Sequence, residues 1–294
     1  MALIARIRRA ALCAAPLALV AVALAPAPAG AELVRVRDAD AQRTALDDYW
    51  TRERLRDAEP RALPLRSPEG APSAVRGSEP AATYEVPDPE AFPNRVTGRV
   101  FARDSSGDYS CSATVVRSRL RRTLFTAAHC VRTRQFGWAR KFVFIPAYRD
   151  GRAPFGRWQW RAFHLPRGWA GFRYDYAVVK LARLKGRSIQ GRVGAAKLAT
   201  GAARAQQYLA LGYPLNIGNG RRMIGCRSPY ARSDNTFGRP RPIGIECEMT
   251  AGASGGGWLI GGPRLVSVTS YGIGSQPGVL YGSNLTGRAA KLLR

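Results

Sequence analysis

An all-β domain is predicted over residues 96–294. Short runs alternate bulky apolar with polar residues, clusters of Gly, Pro, Asp and Asn separate them, and helical periodicity is scarce. The clearest run, Arg157-Trp158-Gln159-Trp160-Arg161-Ala162-Phe163, has the period of a half-buried strand. Further strands are expected at Lys141–Ile145, Tyr176–Leu181, Tyr208–Leu211 and Leu265–Ser270, with turns at Asp150-Gly151 and Pro277-Gly278. Only the end departs from this texture. Thr286 is placed to cap a short C-terminal helix closing on Lys291 and Arg294, whose charges suit the negative end of a helix dipole. Many short strands with few helices indicate a sandwich or a barrel. The sequence shows no internal repeat at a fixed period.

The first 95 residues read differently. Arg6, Arg8 and Arg9 precede an apolar run from Ala10 to Ala25, and Ala29-Gly30-Ala31 follows. A basic start, a short apolar centre and a small-residue end predict a signal peptide over residues 1–31, cut after Ala31. The run is broken by Pro16 and is short for a membrane span, and no later segment has eighteen consecutive apolar residues. The mature chain is therefore expected to be secreted, extracellular and free of the membrane. Residues 32–95 fit a removable pro-segment. Asp38 to Glu59 is charged and predicts a helix around Leu46, Tyr49, Trp50 and Leu55, whereas Pro60 to Pro93 is too poor in large apolar residues to bury a core. The cut is expected between about Glu90 and Val96, with Arg95 a suitable residue before it.

Charge is uneven along the chain. The formal net charge is +26, and residues 96–294 carry all of it, with 33 basic and 7 acidic residues. Arg supplies 41 of the 46 basic residues. Such a surface attracts polyanions non-specifically, but no nucleic-acid recognition motif accompanies it. Four cysteines remain after the signal peptide: Cys111, Cys130, Cys226 and Cys247. An even set in an exported chain predicts two disulfides. A metal site is not expected, because there is no C-x-x-C pair and only two histidines are present. No cofactor is implied.

Three short motifs carry chemistry. Thr126-Ala127-Ala128-His129-Cys130 offers a general base, and a disulfide beside it would hold the imidazole rigidly. Gly252-Ala253-Ser254-Gly255-Gly256 puts a hydroxyl on a tight turn, where the N–H groups of Gly252 and Ser254 can converge as an oxyanion hole. Asp175 stands at the mouth of an apolar strand, where a carboxylate can orient an imidazole. Taken singly, a histidine is usually structural, a Gly-Ser-Gly cluster a turn and such an aspartate solvated. Together, in the order His, Asp, Ser, they form one of the known arrangements of a nucleophilic triad.

On these motifs, residues 96–294 resemble the trypsin-like serine peptidases, in particular the bacterial secreted branch that includes the glutamyl endopeptidases. The resemblance implies two six-stranded antiparallel β-barrels with a catalytic site of His129, Asp175 and Ser254 at their junction. It implies an endopeptidase working through an acyl-enzyme, most simply as a monomer whose partners are protein or peptide substrates. A non-catalytic relative that binds anionic polymers through its arginines is the alternative. The family pattern further implies a Cys111–Cys130 disulfide beside the histidine, which leaves Cys226 and Cys247 for each other. Ser270-Tyr271-Gly272 matches the stretch that pairs with substrate backbone, and Gly278 the far wall of the pocket that reads the residue before the scissile bond. Thr269 stands where the glutamyl branch carries a histidine, and Glu248 where trypsins carry the acid of the pocket floor. The glutamyl resemblance implies cleavage after Glu, whereas a Glu248 that lines the pocket implies cleavage after basic residues, which is the expectation. Two departures matter. Ala253 replaces an acid used in activating animal trypsins, and Gly257 replaces the usual Pro after Ser-Gly-Gly.

Overall fold

The computed structural model describes residues 32–36, 43–61, 65–66, 81–167, 169 and 171–294. The expected signal at residues 1–31 and its cut after Ala31 lie outside them, as does part of the Pro-rich stretch. Among the described residues no helix is long and apolar enough to cross a membrane.

Twelve strands form two closed rings. The first comprises β1 (Thr97–Asp104), β2 (Gly107–Val116), β3 (Thr123–Thr126), β4 (Arg140–Pro146), β5 (Trp158–Pro166) and β6 (Ala177–Leu181). They pair antiparallel in the order β5-β4-β1-β2-β3-β6, and β6 returns to β5. The second comprises β7 (Gln207–Gly212), β8 (Ile224–Ser233), β9 (Ile243–Glu246), β10 (Gly257–Ile260), β11 (Arg264–Ile273) and β12 (Val279–Asn284). Its order is β11-β10-β7-β8-β9-β12, closed by β12 against β11. Each sheet is closed on itself by the pairing of its end strands. Both rings follow one connection pattern, although the sequence carries no repeat. Backbone pairing is preserved where side chains differ.

The strands expected from alternation are present within a few residues. In β5 most side chains on both faces are buried, and residues Glu32–Val36 pair antiparallel along the edge of its second half. Trp160 and Phe163 stack there at 4.1 Å. The stretch between Cys226 and Cys247, although rich in Gly, Pro and Arg, is mostly the β8–β9 hairpin, with Tyr230 opposite Ile245. One expectation needs correction. A C-terminal helix spans Gly287–Lys291, but the Thr286 side chain forms no capping bond.

The N-terminal region packs on both barrels. The expected helix is two short ones, Arg43–Tyr49 and Arg52–Asp57, divided at Thr51, whose hydroxyl accepts from Arg54 N (3.2 Å) as an N-cap. Leu46, Trp50, Leu55 and Ala58 are buried against the first barrel. The indole Nε1 of Trp50 donates to Lys141 O at 2.6 Å. Burying the three large side chains contributes roughly 1.5–3 kcal/mol each. Asp108 on β2 ties this region down, accepting from Tyr49 Oη (2.5 Å), Arg54 (2.9 Å) and Arg103 (2.8 Å). Farther on, Glu59–Pro60 pairs with β2, Leu65–Arg66 with β11, and Ala82–Glu85 with the first half of β8. Val86 is buried, so the end of the Pro-rich stretch does join the core.

Candidate active site

β3 and β6 are antiparallel neighbours with Thr126 opposite Ala177. His129 lies in the single turn Ala128–Cys130 just after β3, and Asp175 lies two residues before β6. Both side chains therefore come from one end of the first barrel. His129 Nδ1 and Asp175 Oδ2 are 2.7 Å apart, and His129 N donates to Asp175 Oδ1 at 2.9 Å. Ser270 Oγ on β11 donates to the same Oδ2 at 2.6 Å. Three hydrogen bonds fix the carboxylate, two of them from the histidine it orients. His129 is 7% exposed and Asp175 2%, so these bonds act with little competition from water.

Ser254 comes from the second barrel, on the turn that leads into β10. Gly252 and Gly255 have φ of +87° and +82°, values that other residues adopt only with strain. A Cβ at Gly255 would collide with Thr126 Oγ1 and Ser112 O on the first barrel, so the turn docks against β2 and β3 only as glycine. Ser112 N donates to Ser254 O at 2.8 Å, and Cys130 Sγ lies 3.6 Å from the same oxygen. The serine is thus brought against the loop that carries His129. Ser254 Oγ and His129 Nε2 are both buried, and neither has a hydrogen-bond partner among the described residues. The structure also accounts for Gly257. Its N–H donates to Thr114 Oγ1 (3.1 Å), a bond proline cannot make, and an added Cβ would stand 2.7 Å from Leu265 Cδ1.

Both disulfides are present. Cys111–Cys130 spans 6.3 Å between Cα atoms and joins β2 to the His129 turn, and Cys226–Cys247 spans 6.0 Å and ties β8 to the residue after β9. The other expected substrate-binding positions are divided. Ser270, Tyr271 and Gly272 lie on β11 beside Asp175. Tyr271 is buried, stacks on Tyr281 at 5.1 Å and donates to Asp234 Oδ2 at 2.6 Å. Thr269 is fully buried and accepts from Trp258 Nε1 at 2.9 Å. Gly278 has φ of +78° and its carbonyl accepts from Cys247 N at 2.7 Å. Glu248 has an exposed side chain, while its carbonyl accepts from Asn216 Nδ2 at 2.7 Å.

Sequence reasoning missed two participants. Ser112 is buried on β2, where its hydroxyl donates to Gly252 O (2.9 Å) and accepts from Tyr213 N (3.0 Å), holding the Gly252 peptide. Arg61 is the other: its carbonyl accepts from Gly252 N at 2.9 Å. Neither has a local sequence signature, because both act on backbone groups more than a hundred residues away.

Residues 111–266 match the trypsin-like peptidase domain family. A thermostable serine protease AL20 from an extremophilic microorganism is 34% identical, with a TM-score of 0.63 over 68% of this chain and 95% of its own. Protease Anisep from Arthrobacter nicotinovorans is 32% identical, with a TM-score of 0.63 over 67% of this chain and 93% of its own. An extracellular metalloprotease of Bacillus subtilis is 26% identical over 123 residues, 40% of this chain and only 38% of that relative's length. Among the described residues the cluster with metal-ligand spacing is Cys111, His129 and Cys130, and its two sulfurs are joined to each other.

Proposed function

The chain belongs to the trypsin-like peptidase family and is a serine endopeptidase, and on that premise we propose that His129, Asp175 and Ser254 are its catalytic triad. One observation carries the assignment: the 2.7 Å contact between His129 Nδ1 and Asp175 Oδ2, which turns Nε2 away from the carboxylate. Ser254 Oγ attacks the scissile carbonyl carbon and passes its proton to His129 Nε2. Gly252 N–H and Ser254 N–H receive the charge that develops on the carbonyl oxygen. The imidazolium, held by Asp175, then protonates the departing amine, leaving an acyl group on Ser254. Water deprotonated by His129 attacks that ester and restores the serine.

Ser254→Ala and His129→Ala are expected to remove nearly all turnover of a peptide substrate while the melting temperature stays close to wild type. Asp175→Asn should lower kcat by roughly four orders of magnitude, because the imidazole is left in the wrong tautomer. Near wild-type turnover by Ser254→Ala would end the assignment.

Residues 1–31 act in this reading as an export signal and residues 32–95 as a pro-segment that is cut away outside the cell. Val96 is fully buried, so a cut at Arg95 needs the turn Asn94–Val96 to open first. N-terminal sequencing of secreted protein gives the boundary directly. The arginine surplus favours a second reading, an inactive binder of anionic polymers, which a lack of turnover together with salt-sensitive polyanion binding would support.

A further inference from the structure

We propose that residues 59–61 and 65–66 occupy the two ends of the active-site cleft in the direction opposite to a substrate, so that the chain carries its own uncleavable occupant. This rests on the peptidase reading above and specifies how that same site is closed. Glu59-Pro60 pairs with Tyr109-Ser110 at one end of the cleft, and Leu65-Arg66 pairs with Gly272-Ile273 at the other. Between the barrels Arg61 holds both walls. Its N–H donates to Ser110 O (2.8 Å) beside the Cys111 disulfide, and its carbonyl accepts from Gly252 N (2.9 Å), one of the two oxyanion donors. The Arg61 side chain does not enter the specificity pocket. It reaches Asp104 at 2.5 Å and lies over the Tyr109 ring at 3.5 Å, anchored on the first barrel. Ser254 is fully buried and His129 is 7% exposed with this segment in place.

Direction decides whether such an occupant is a substrate. The pocket framed by Ser270–Gly272 and Gly278 takes the residue before the scissile bond, so a substrate places its earlier residues along β11. Its later residues then leave toward Tyr109 and Ser110. Here the earlier residues, 59–61, lie at Tyr109-Ser110 and the later ones, 65–66, lie at β11. Both pairings are parallel, as a reversed chain requires. Reversal exchanges the places of C=O and N–H along the strand. The amine that must leave then sits on the pocket side, away from the imidazole that would protonate it. Backbone pairing supplies binding without a productive geometry.

The test reads two forms in one sample. A partly processed preparation of the full chain is treated briefly with a fluorophosphonate, and label is compared between the long and short bands on a gel. The short band is expected to react at least ~10-fold faster, since only uncovered serine can react. Arg61→Glu, which sets a carboxylate against Asp104, is expected to raise labelling of the long band and leave the short band unchanged. A melting curve checks that the variant is folded, and the wild-type comparison stands without it. Equal labelling of both wild-type bands overturns the inference. So does a first cut within residues 61–66, found by sequencing, because it shows a productive direction. Labelling of neither band instead removes the peptidase reading itself.

Discussion

Ser270 carries a task that its motif does not announce. The motif Ser270-Tyr271-Gly272 points to substrate pairing, yet the Ser270 hydroxyl is spent on Asp175 Oδ2 at 2.6 Å. Ser270 is a positioning residue acting through the carboxylate. Ser270→Ala should lower kcat by about 10-fold, the worth of one buried hydrogen bond of ~1–1.5 kcal/mol, with KM little changed. A rise in KM at constant kcat would return it to substrate binding. Gly257 behaves similarly: Gly257→Pro removes the donor to Thr114 Oγ1 and inserts atoms where Leu265 packs. It should cost at least ~2 kcal/mol in denaturant unfolding; an unchanged midpoint would contradict the packing. His129, Asp175 and Ser254 were legible because each sits in a short motif. Ser112 and Ser270 act across the barrel junction, and no nearby residue announces that.

At the scale of elements, alternation revealed strands such as β5 and passed over others. β2, Gly107–Val116, is made largely of small and polar residues, and β8 carries Arg227, Pro229 and Arg232. Both are strands because neighbours on each side supply pairing, a non-local cause. The two N-terminal helices were legible as an apolar pattern, but the barrel that buries them was not. Their tie to Asp108 has a pH signature. Burial alone pushes the Asp108 carboxyl up, but hydrogen bonds from Tyr49, Arg103 and Arg54 more than offset it, and the net shift is down. A lowered folded value means the carboxylate stabilises the attachment above the ordinary carboxylate range. That contribution is lost as pH falls through the folded value, below the ordinary carboxylate range. Segment added back in excess to the processed barrels should therefore bind at neutral pH and dissociate in acid. Asp108→Asn should weaken the association at neutral pH and flatten the acid dependence; an identical acid profile in the variant would assign it to other groups.

Across the whole molecule, two rings of one topology meet at a line where His129 and Asp175 arrive from the first and Ser254 and Ser270 from the second. The fold class was legible from many short strands, while the closure of each sheet and the shared strand order depend on long-range pairing. The chain crossing between the rings was not legible, since its contacts there are made by the backbone of Arg61. The positive charge of residues 96–294 draws anionic partners at long range, but the pocket does the reading. Glu248 is exposed, and a water-screened carboxylate contributes only ~0–1 kcal/mol toward a basic side chain. Glu248→Gln should accordingly change kcat/KM on peptides with Arg before the scissile bond by less than ~10-fold; a larger loss would place its carboxylate in the pocket. The central claim is that one serine, activated at the barrel junction, performs the chemistry. Reacting the processed enzyme with a fluorophosphonate and sequencing the adduct tests it most directly. One adduct per chain on Ser254, with activity lost in proportion, is the expected result. An adduct on another serine, or full peptidase activity with no adduct at all, would contradict it.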